Sequence, residues 1–426
     1  MKHKTMMFAL AAAAALVAVS AVPATAAPGG TTAQWNYAVH PIAIRSPFSP
    51  GTGTHALPSG PADCLTATGG EFACQTPDSI RAAYDIPATI NGVPAGTGQT
   101  IVIVDAFGSP TVRQDLATFS QAFGLPQADL NVIYPGGTPT WNGKGTQLGW
   151  AQETSLDVQW AHAVAPGATI DLVIAANDGG NSINTAEQYA VDNHLGTVMS
   201  MSFGIPEYLI TGNNGQVAQA HQVYVDAAAQ KMSVFASSGD DGSDNTAGTA
   251  NFSYPASDEL VTSVGGTNLL YGTHLQKGVR ETVWGDFALC ATTCADGPIG
   301  ATGGAPSLLT AKGGSDVAYN ASVYTGVLTY LGFMGADASG FYFMGGTSAG
   351  SPQWAALTAD VVQAVGHRIG DVTQYTTSWA GKQLYDVTVG ANTTPTFAGG
   401  YAATKGWDRP TGYGTPDVAA IIRALR

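Results

Sequence analysis

The string Gly345-Gly346-Thr347-Ser348-Ala349-Gly350-Ser351-Pro352 can present a nucleophile. Its glycines allow a sharp turn, and the apolar, Ala-rich run Gln353–Val362 that follows reads as a buried helix. Ser348 falls at the start of that helix, where unpaired backbone N–H groups and the positive end of the dipole can hold a developing oxyanion. A plain helix cap explains the Gly-Thr-Ser triplet equally well, whereas the longer string favours a nucleophile, provided partners for it exist. The candidate partners are acids. Asp105 ends the run Thr100–Asp105, Asp240 lies in the turn Ser237-Ser238-Gly239-Asp240-Asp241-Gly242, and Glu153 and Asp157 stand four apart, on one face of a helix. Two carboxylates stacked in that way repel, so one tends to keep a proton. Beside a serine the pair could act as base and then as acid at low pH, the work a histidine does near neutrality. The ordinary alternative is that acids in a first helical turn complement the dipole and face water.

The surrounding pattern would place these acids together. The runs Thr100–Asp105, Ala168–Ile174, Thr197–Phe203, Ser233–Ser237 and Val261–Val264 read as strands. Helical stretches over Arg113–Phe123, Thr154–Val164, Asn181–Asn193 and Gln216–Lys231 separate most of them. This alternation predicts an α/β fold, a mostly parallel sheet with helices on both faces. Functional residues in such sheets gather beyond the carboxyl ends of the strands, where Asp105 and Asp240 fall. Thr76 opens a capped helix, and residues 28–70, rich in Pro, Gly, Thr and Ser, read as a flexible leader or short pro-segment. Residues 268–345 read as loops and edge strands around a site.

Composition narrows the class. Charged residues are only 11% of the chain and the formal net charge is -14, which argues against a nucleic-acid partner. A basic start, an apolar middle and small residues toward Ala26 or Ala27 read as a cleaved secretory signal over residues 1–27, giving an extracellular product with no membrane anchor. Four cysteines, in the close pairs Cys64/Cys74 and Cys290/Cys294, fit local disulfides in an oxidising compartment, with zinc as the alternative.

The ordered set of strings resembles the sedolisin family of serine-carboxyl peptidases. The match runs from Gln75–Tyr84 through Glu153-x-x-x-Asp157, Ala163–Ala168, Met199–Gly204, Ser238-Gly-Asp240-x-Gly242, Tyr254–Ser257, Thr262–Thr267 and Glu281–Trp284 to Gly346–Pro352. The resemblance implies a subtilisin-like three-layer fold over residues 71–426 and hydrolysis of peptide bonds in acid. It implies Ser348 as nucleophile, Glu153 as general base and acid, Asp157 as the group that orients Glu153, and Asp240 as a protonated oxyanion donor. Asp105 stands where the family often has a Glu that extends the carboxyl network. Met199–Gly204 resembles the strand beside the substrate cleft. Leu384–Val387, Lys405–Asp408 and Thr411–Pro416 resemble the family's calcium loop, which implies one Ca2+ on the side chains of Asp386 and Asp408 and the carbonyls of Val387, Thr404 and Gly406.

Family members carry a large folded pro-domain, whereas only residues 28–70 precede the catalytic domain here, and Gly314-Ser315 stands where a proline usually precedes Asp316-Val317. Two rivals remain. A subtilisin-type neutral protease would need a histidine where Glu153 stands; His55 and His274 are misplaced in the order, and His162 lies on another face. A non-catalytic secreted binding protein on the same scaffold usually lacks a triad member, and all are present here. The expected partners are peptide and protein substrates, and the expected state is a monomer.

Overall fold

The computed structural model describes residues 35–49, 56–271, 279–286, 300–395 and 397–426. The signal segment, His55, His274 and the Cys290/Cys294 pair lie outside the described residues.

Thr100–Ala106 is apolar from Ile101 to Val104, and both faces of the strand are covered. Ile101 and Ile103 join one core cluster, while Val102 and Val104 join the other. That is the period-2 alternation of a strand buried on both sides. It sits inside an eight-stranded sheet. The spatial order runs Asp129–Ile133, Thr169–Ala175, Thr100–Ala106, Val198–Met201, Ser233–Ser237 and Thr262–Leu269, all parallel. Val317–Asn320 adds in parallel to Thr262–Leu269, and Glu281–Val283 pairs antiparallel with its far end. Helices Val112–Phe123, Thr146–Val164 and Gly350–Val365 cover one face; Gly180–Asp192 and Asn214–Ala229 cover the other. This is the subtilisin-like three-layer α/β arrangement expected of the chain.

Three features differ from the sequence reading. The helix carrying Glu153 starts at Thr146, well before Thr154, so its acids lie in the interior and not in a water-facing first turn. Every residue from Trp150 to Val164 is buried, and a helix wrapped on all sides shows no apolar stripe to mark its start. The sheet also gains Asp129–Ile133, an edge strand with polar residues at Asp129 and Asn131 that hide its pattern.

The third difference is the leader. Residues 35–48 are docked, not flexible: Trp35, Tyr37, Ile42 and Phe48 are buried, and Ile42–Arg45 pairs antiparallel with Gly340–Gly345. Buried aromatics and a ladder outweigh the lack of local periodicity. Further on, Pro61–Ala67 is helical and Cys64 and Cys74 form a disulfide, as the local pairing predicts. Thr76 caps the helix Pro77–Ala83 through a reciprocal pair of hydrogen bonds with Ser79.

Candidate active site

Glu153 and Asp157 project from the Thr146–Val164 helix into the layer beneath the sheet's carboxyl edge, and both are fully buried. Asp105, on the strand Thr100–Ala106, is buried with them. None of the six carboxylate oxygens makes an aligned hydrogen bond with another described residue. Burial drives all three acids toward the neutral form, that of Asp105 to a pKa of about 8. The charge on Asp105 pushes Glu153 and Asp157 further up, and Glu153 adds to the effect on Asp157. Three carboxyls so close cannot all ionise, and protons are shared among them.

Hydroxyl groups oppose that drift. Ser348 lies beside Glu153, Ser202 beside Asp157 and Thr154 beside Asp105, each favouring the ionised form. Ser348 sits in the single turn Thr347–Ala349 that feeds the helix Gly350–Val365, and it is 4% exposed. Its hydroxyl donates to the Ser202 carbonyl at 3.4 Å, a long bond that leaves it able to turn toward Glu153. Catalytic hydrogen bonds in an enzyme without substrate are commonly slack in this way. The Ser348 N–H makes no hydrogen bond among the described residues, which makes it one of the orphan donors at a helix start.

Asp240 completes the group from another direction. It follows the strand Ser233–Ser237, and its backbone carbonyl accepts from Ala301 N–H at 3.0 Å. Thr347 grips its side chain: the backbone N–H and the hydroxyl of Thr347 both donate to Oδ1, at 2.8 and 2.7 Å. Gly346 makes the close approach possible. Its φ is +107°, and a Cβ there would stand 2.5 Å from Asp240 Oδ2. Burial raises Asp240 to a pKa of about 6 against the lowering effect of the Thr347 bonds. That favours a neutral carboxylic acid beside the Ser348 turn at acidic pH and a carboxylate above about pH 6.

All four residues read from the sequence, and Asp105 with them, therefore meet in one place. Ser202 and Thr347 went unread as individual residues; each lay inside a quoted string but carried no acid or nucleophile signal of its own. Histidine is elsewhere. His162 Nε2 stands 3.0 Å from the Pro126 carbonyl, and burial lowers its pKa to about 4. No described histidine hydrogen-bonds to Ser348, Glu153 or Asp157.

The raised acids set a stability trend. Asp240, Asp115 and Asp286 reach about 6 and Asp105 and Glu187 about 8, all through burial first. Folded values above the unfolded ones mean that the folded chain holds protons which the unfolded chain has released. The stabilisation is complete below about pH 4, the ordinary carboxyl range, and is lost as pH rises through 6 and then 8. Each proton so held costs about 1.4 kcal/mol per pH unit. The melting temperature is expected to fall steadily from pH 5 to pH 8 in calorimetry, and a rising melting temperature would contradict the burial of these acids.

Comparison with known proteins agrees with the geometry. The sequence profile of the Subtilase family matches residues 136–414. Kumamolisin of Bacillus sp. (strain MN-32) is 30% identical over 372 residues, covering 82% of this chain and 63% of its own. Sedolisin of Pseudomonas sp. (strain 101) is 28% identical over 390 residues, 85% of this chain and 63% of its own. The chain thus spans under two thirds of the length of these relatives. The solved structure of Pseudomonas sedolisin, a serine-carboxyl proteinase complexed with pseudo-iodotyrostatin, superposes with a TM-score of 0.70 at 26% identity, covering 83% of this chain and 98% of that one.

Proposed function

We propose that this chain, which belongs to the subtilase family in its sedolisin branch, hydrolyses peptide bonds in acid through an acyl-enzyme on Ser348. The observation that carries this reading is the cluster of Glu153, Asp157 and Asp105, buried together beside a turn-borne serine. Glu153 takes the Ser348 proton as the hydroxyl attacks the carbonyl carbon, and returns it to the leaving amine. Asp157 and Asp105 hold Glu153 in place and spread the proton among three carboxyls. The oxyanion meets the Ser348 N–H and the Asp240 carboxylic acid, both fixed before the reaction begins. Water then attacks the acyl-enzyme with Glu153 again as base.

The substrates are peptides and proteins, and the enzyme acts as an exported monomer. A basic, then apolar, then small-residue amino terminus and the Cys64–Cys74 disulfide support export. Digestion of a mixed peptide library from pH 3 to pH 8, read by mass spectrometry, tests the activity and shows whether cleavage is internal or by tripeptides. Inert protein across that range would leave the binding-protein reading.

One calcium ion belongs to the same reading. Asp386 and Asp408 are close enough for the first to raise the pKa of the second, after the larger effect of burial. The turn between them is tied to both: Gly406 N–H donates to Asp386 Oδ2 at 2.9 Å and Thr404 N–H to Asp408 Oδ2 at 3.0 Å. The carbonyls of Val387, Thr404 and Gly406 accept no hydrogen bond from any described residue. Two carboxylates and three uncommitted carbonyls are hard oxygen donors of the sort calcium takes. The ion would supply charge that draws the Asp386 and Asp408 turns together. EDTA is expected to lower the melting temperature, since a ligand at a hundredfold excess over its dissociation constant stabilises the folded state by ~2.7 kcal/mol. An unchanged melting temperature, with no calcium found by elemental analysis, would remove the metal and leave the peptidase reading intact.

A further inference from the structure

Thr347 is not the only group that fixes Asp240. Residues 300–304 run beside its turn. Ala301 N–H donates to the Asp240 carbonyl at 3.0 Å, Gly242 N–H to the Ala301 carbonyl at 2.9 Å, and Gly303 N–H to the Gly239 carbonyl at 2.7 Å. The approach leaves no room for side chains. A Cβ on Gly303 would stand 2.0 Å from the Ser238 carbonyl oxygen, and Gly239 and Gly242 take φ of +105° and +72°. Toward Ser348, Gly239 N–H donates to the Thr347 hydroxyl at 3.1 Å, and that hydroxyl donates to Asp240 Oδ1 at 2.7 Å. The position of residues 300–304 is thus passed through Gly239 and Thr347 to the Asp240 carboxyl.

Asn392 locks residues 300–304 in place. It lies in the loop between Val387 and Thr404 and is fully buried. Its side-chain nitrogen donates to the Gly303 carbonyl at 3.0 Å and to the Gly304 carbonyl at 3.1 Å. Its Oδ1 accepts from Tyr401 N–H at 2.8 Å. The backbone is engaged too: the N–H donates to the Tyr401 carbonyl at 3.1 Å, and the carbonyl accepts from Ser243 N–H at 3.3 Å. Every polar group of the residue is used, and both Gly303 and Ser243, on either side of the Asp240 turn, are reached from this one position. An amide is the side chain this requires, since it donates and accepts at once without bringing a charge into a buried site. A Cβ on Gly242 would stand 3.0 Å from the Asn392 carbonyl oxygen, so the loop sits directly on the turn.

We propose that Asn392 is a positioning residue for the oxyanion donor, clamping residues 300–304 on the 238–242 turn and so setting where the Asp240 carboxyl stands. The proposal rests on the peptidase reading, because only there does Asp240 meet an oxyanion. Placement of such a donor matters steeply: a misplacement of about 1 Å costs on the order of 10² in rate. No spacing in the sequence marks Asn392, because its partners Gly303 and Gly304 lie 89 and 88 residues away.

The test is Asn392→Ala in the full chain, made also in an Asp240→Ala background, where no side-chain donor remains to be placed. Hydrolysis of a library-derived peptide, the carbon-13 NMR titration of the Asp240 carboxyl and hydrogen exchange at the Ala301 and Gly303 amides are measured together. Folded Asn392→Ala is expected to lose about tenfold or more in kcat at pH 4, with KM within about threefold of the parent. Its Ala301 and Gly303 amides should exchange faster. Burial is the largest influence keeping Asp240 protonated, and Asp241 and His40, the charged groups that act on it, stay in place. Loosening the turn should therefore move the Asp240 midpoint down by about half a pH unit or more. In the Asp240→Ala background, Asn392→Ala should change kcat by less than about twofold. Gln363→Ala is the structural control: it removes the bond from Gly96 N–H and should lower the melting temperature without moving the midpoint. Should Asn392→Ala not fold, Asn392→Ser, which keeps one hydroxyl, takes its place. An equal kcat loss in both backgrounds, or an unmoved midpoint in a folded variant, overturns the clamp. A moved midpoint with no hydrolysis by any form, the parent included, keeps the clamp and overturns the peptidase reading instead.

Discussion

Ser348→Ala is expected to fold as the parent does and to lose peptide-bond hydrolysis by roughly 10⁶-fold, the size seen when a nucleophilic serine is removed from a comparable site. The substitution deletes one oxygen from a side chain that is 4% exposed and whose only aligned hydrogen bond among the described residues is the long one to Ser202. The turn keeps its shape because Gly346, Thr347 and Asp240 hold it, through the φ of +107° at Gly346 and the two Thr347 bonds to Asp240 Oδ1. Rate and stability should therefore separate. The measurement is turnover of a library-derived peptide, beside a thermal melt of each protein. Hydrolysis within tenfold of the parent by a folded Ser348→Ala protein would show that another group is the nucleophile. A residue whose loss merely loosened the fold would lower the melting temperature and the rate together.

The second large effect is on pH dependence. Asp240 donates to an oxyanion only when protonated, and burial sets its pKa at about 6. Its Oδ1 is already engaged by Thr347, so a proton on Oδ2 is the one available for donation. Turnover should be level below pH 6 as far as this group is concerned. It should then fall by about tenfold per pH unit above 6, until the donor is lost at a total cost of ~10²–10³. Asp240→Asn carries an amide that donates at every pH, so its profile should stay flat where the parent's falls, and at pH 8 the variant should be the faster enzyme. An unchanged alkaline limb in Asp240→Asn would assign the limb to the Glu153, Asp157 and Asp105 cluster, where burial also favours the protonated forms. A maximum near pH 8 in the parent would require a histidine mechanism, which the position of His162 against Pro126 does not provide.

The proposed acid activity and the expected acid stability would have a common origin. Buried carboxyls that keep protons into the neutral range favour the folded state in acid, and the same burial leaves Asp240 neutral for donation. The proposed calcium site would work against this at the lowest pH, because Asp386 and Asp408 can hold a cation only when ionised. On the proposed reading, the useful range would be bounded by calcium release on the acid side and by Asp240 on the alkaline side.

The layering and the order of the candidate site residues were legible along the chain. The order of acids and serine, the four-residue step from Glu153 to Asp157 and the strand-like runs from Thr100 to Val264 are local signals. They survive in the structure because a parallel sheet buried on both faces selects apolar runs wherever it occurs. Ser233–Ser237 was legible to the residue, since both of its ends are marked, by Lys231-Met232 and by Ser238-Gly239. Tertiary structure alone decided the environment of each group. Glu153 and Asp157 look like acids in a first helical turn until Thr146 is seen to start the helix and neighbouring elements to wrap it. Burial raises the pKa of both, and Asp105, arriving from the strand Thr100–Ala106, raises them further, a neighbour that no spacing within the helix reveals. The leader makes the same point most sharply. Residues 35–45 carry no periodicity, because their order comes from partners at Asp178, Gly180, Gly204 and Gly340–Gly345. A strand that borrows both its neighbours from distant parts of the chain leaves no local signature, and only the tertiary structure supplies the partners that order it.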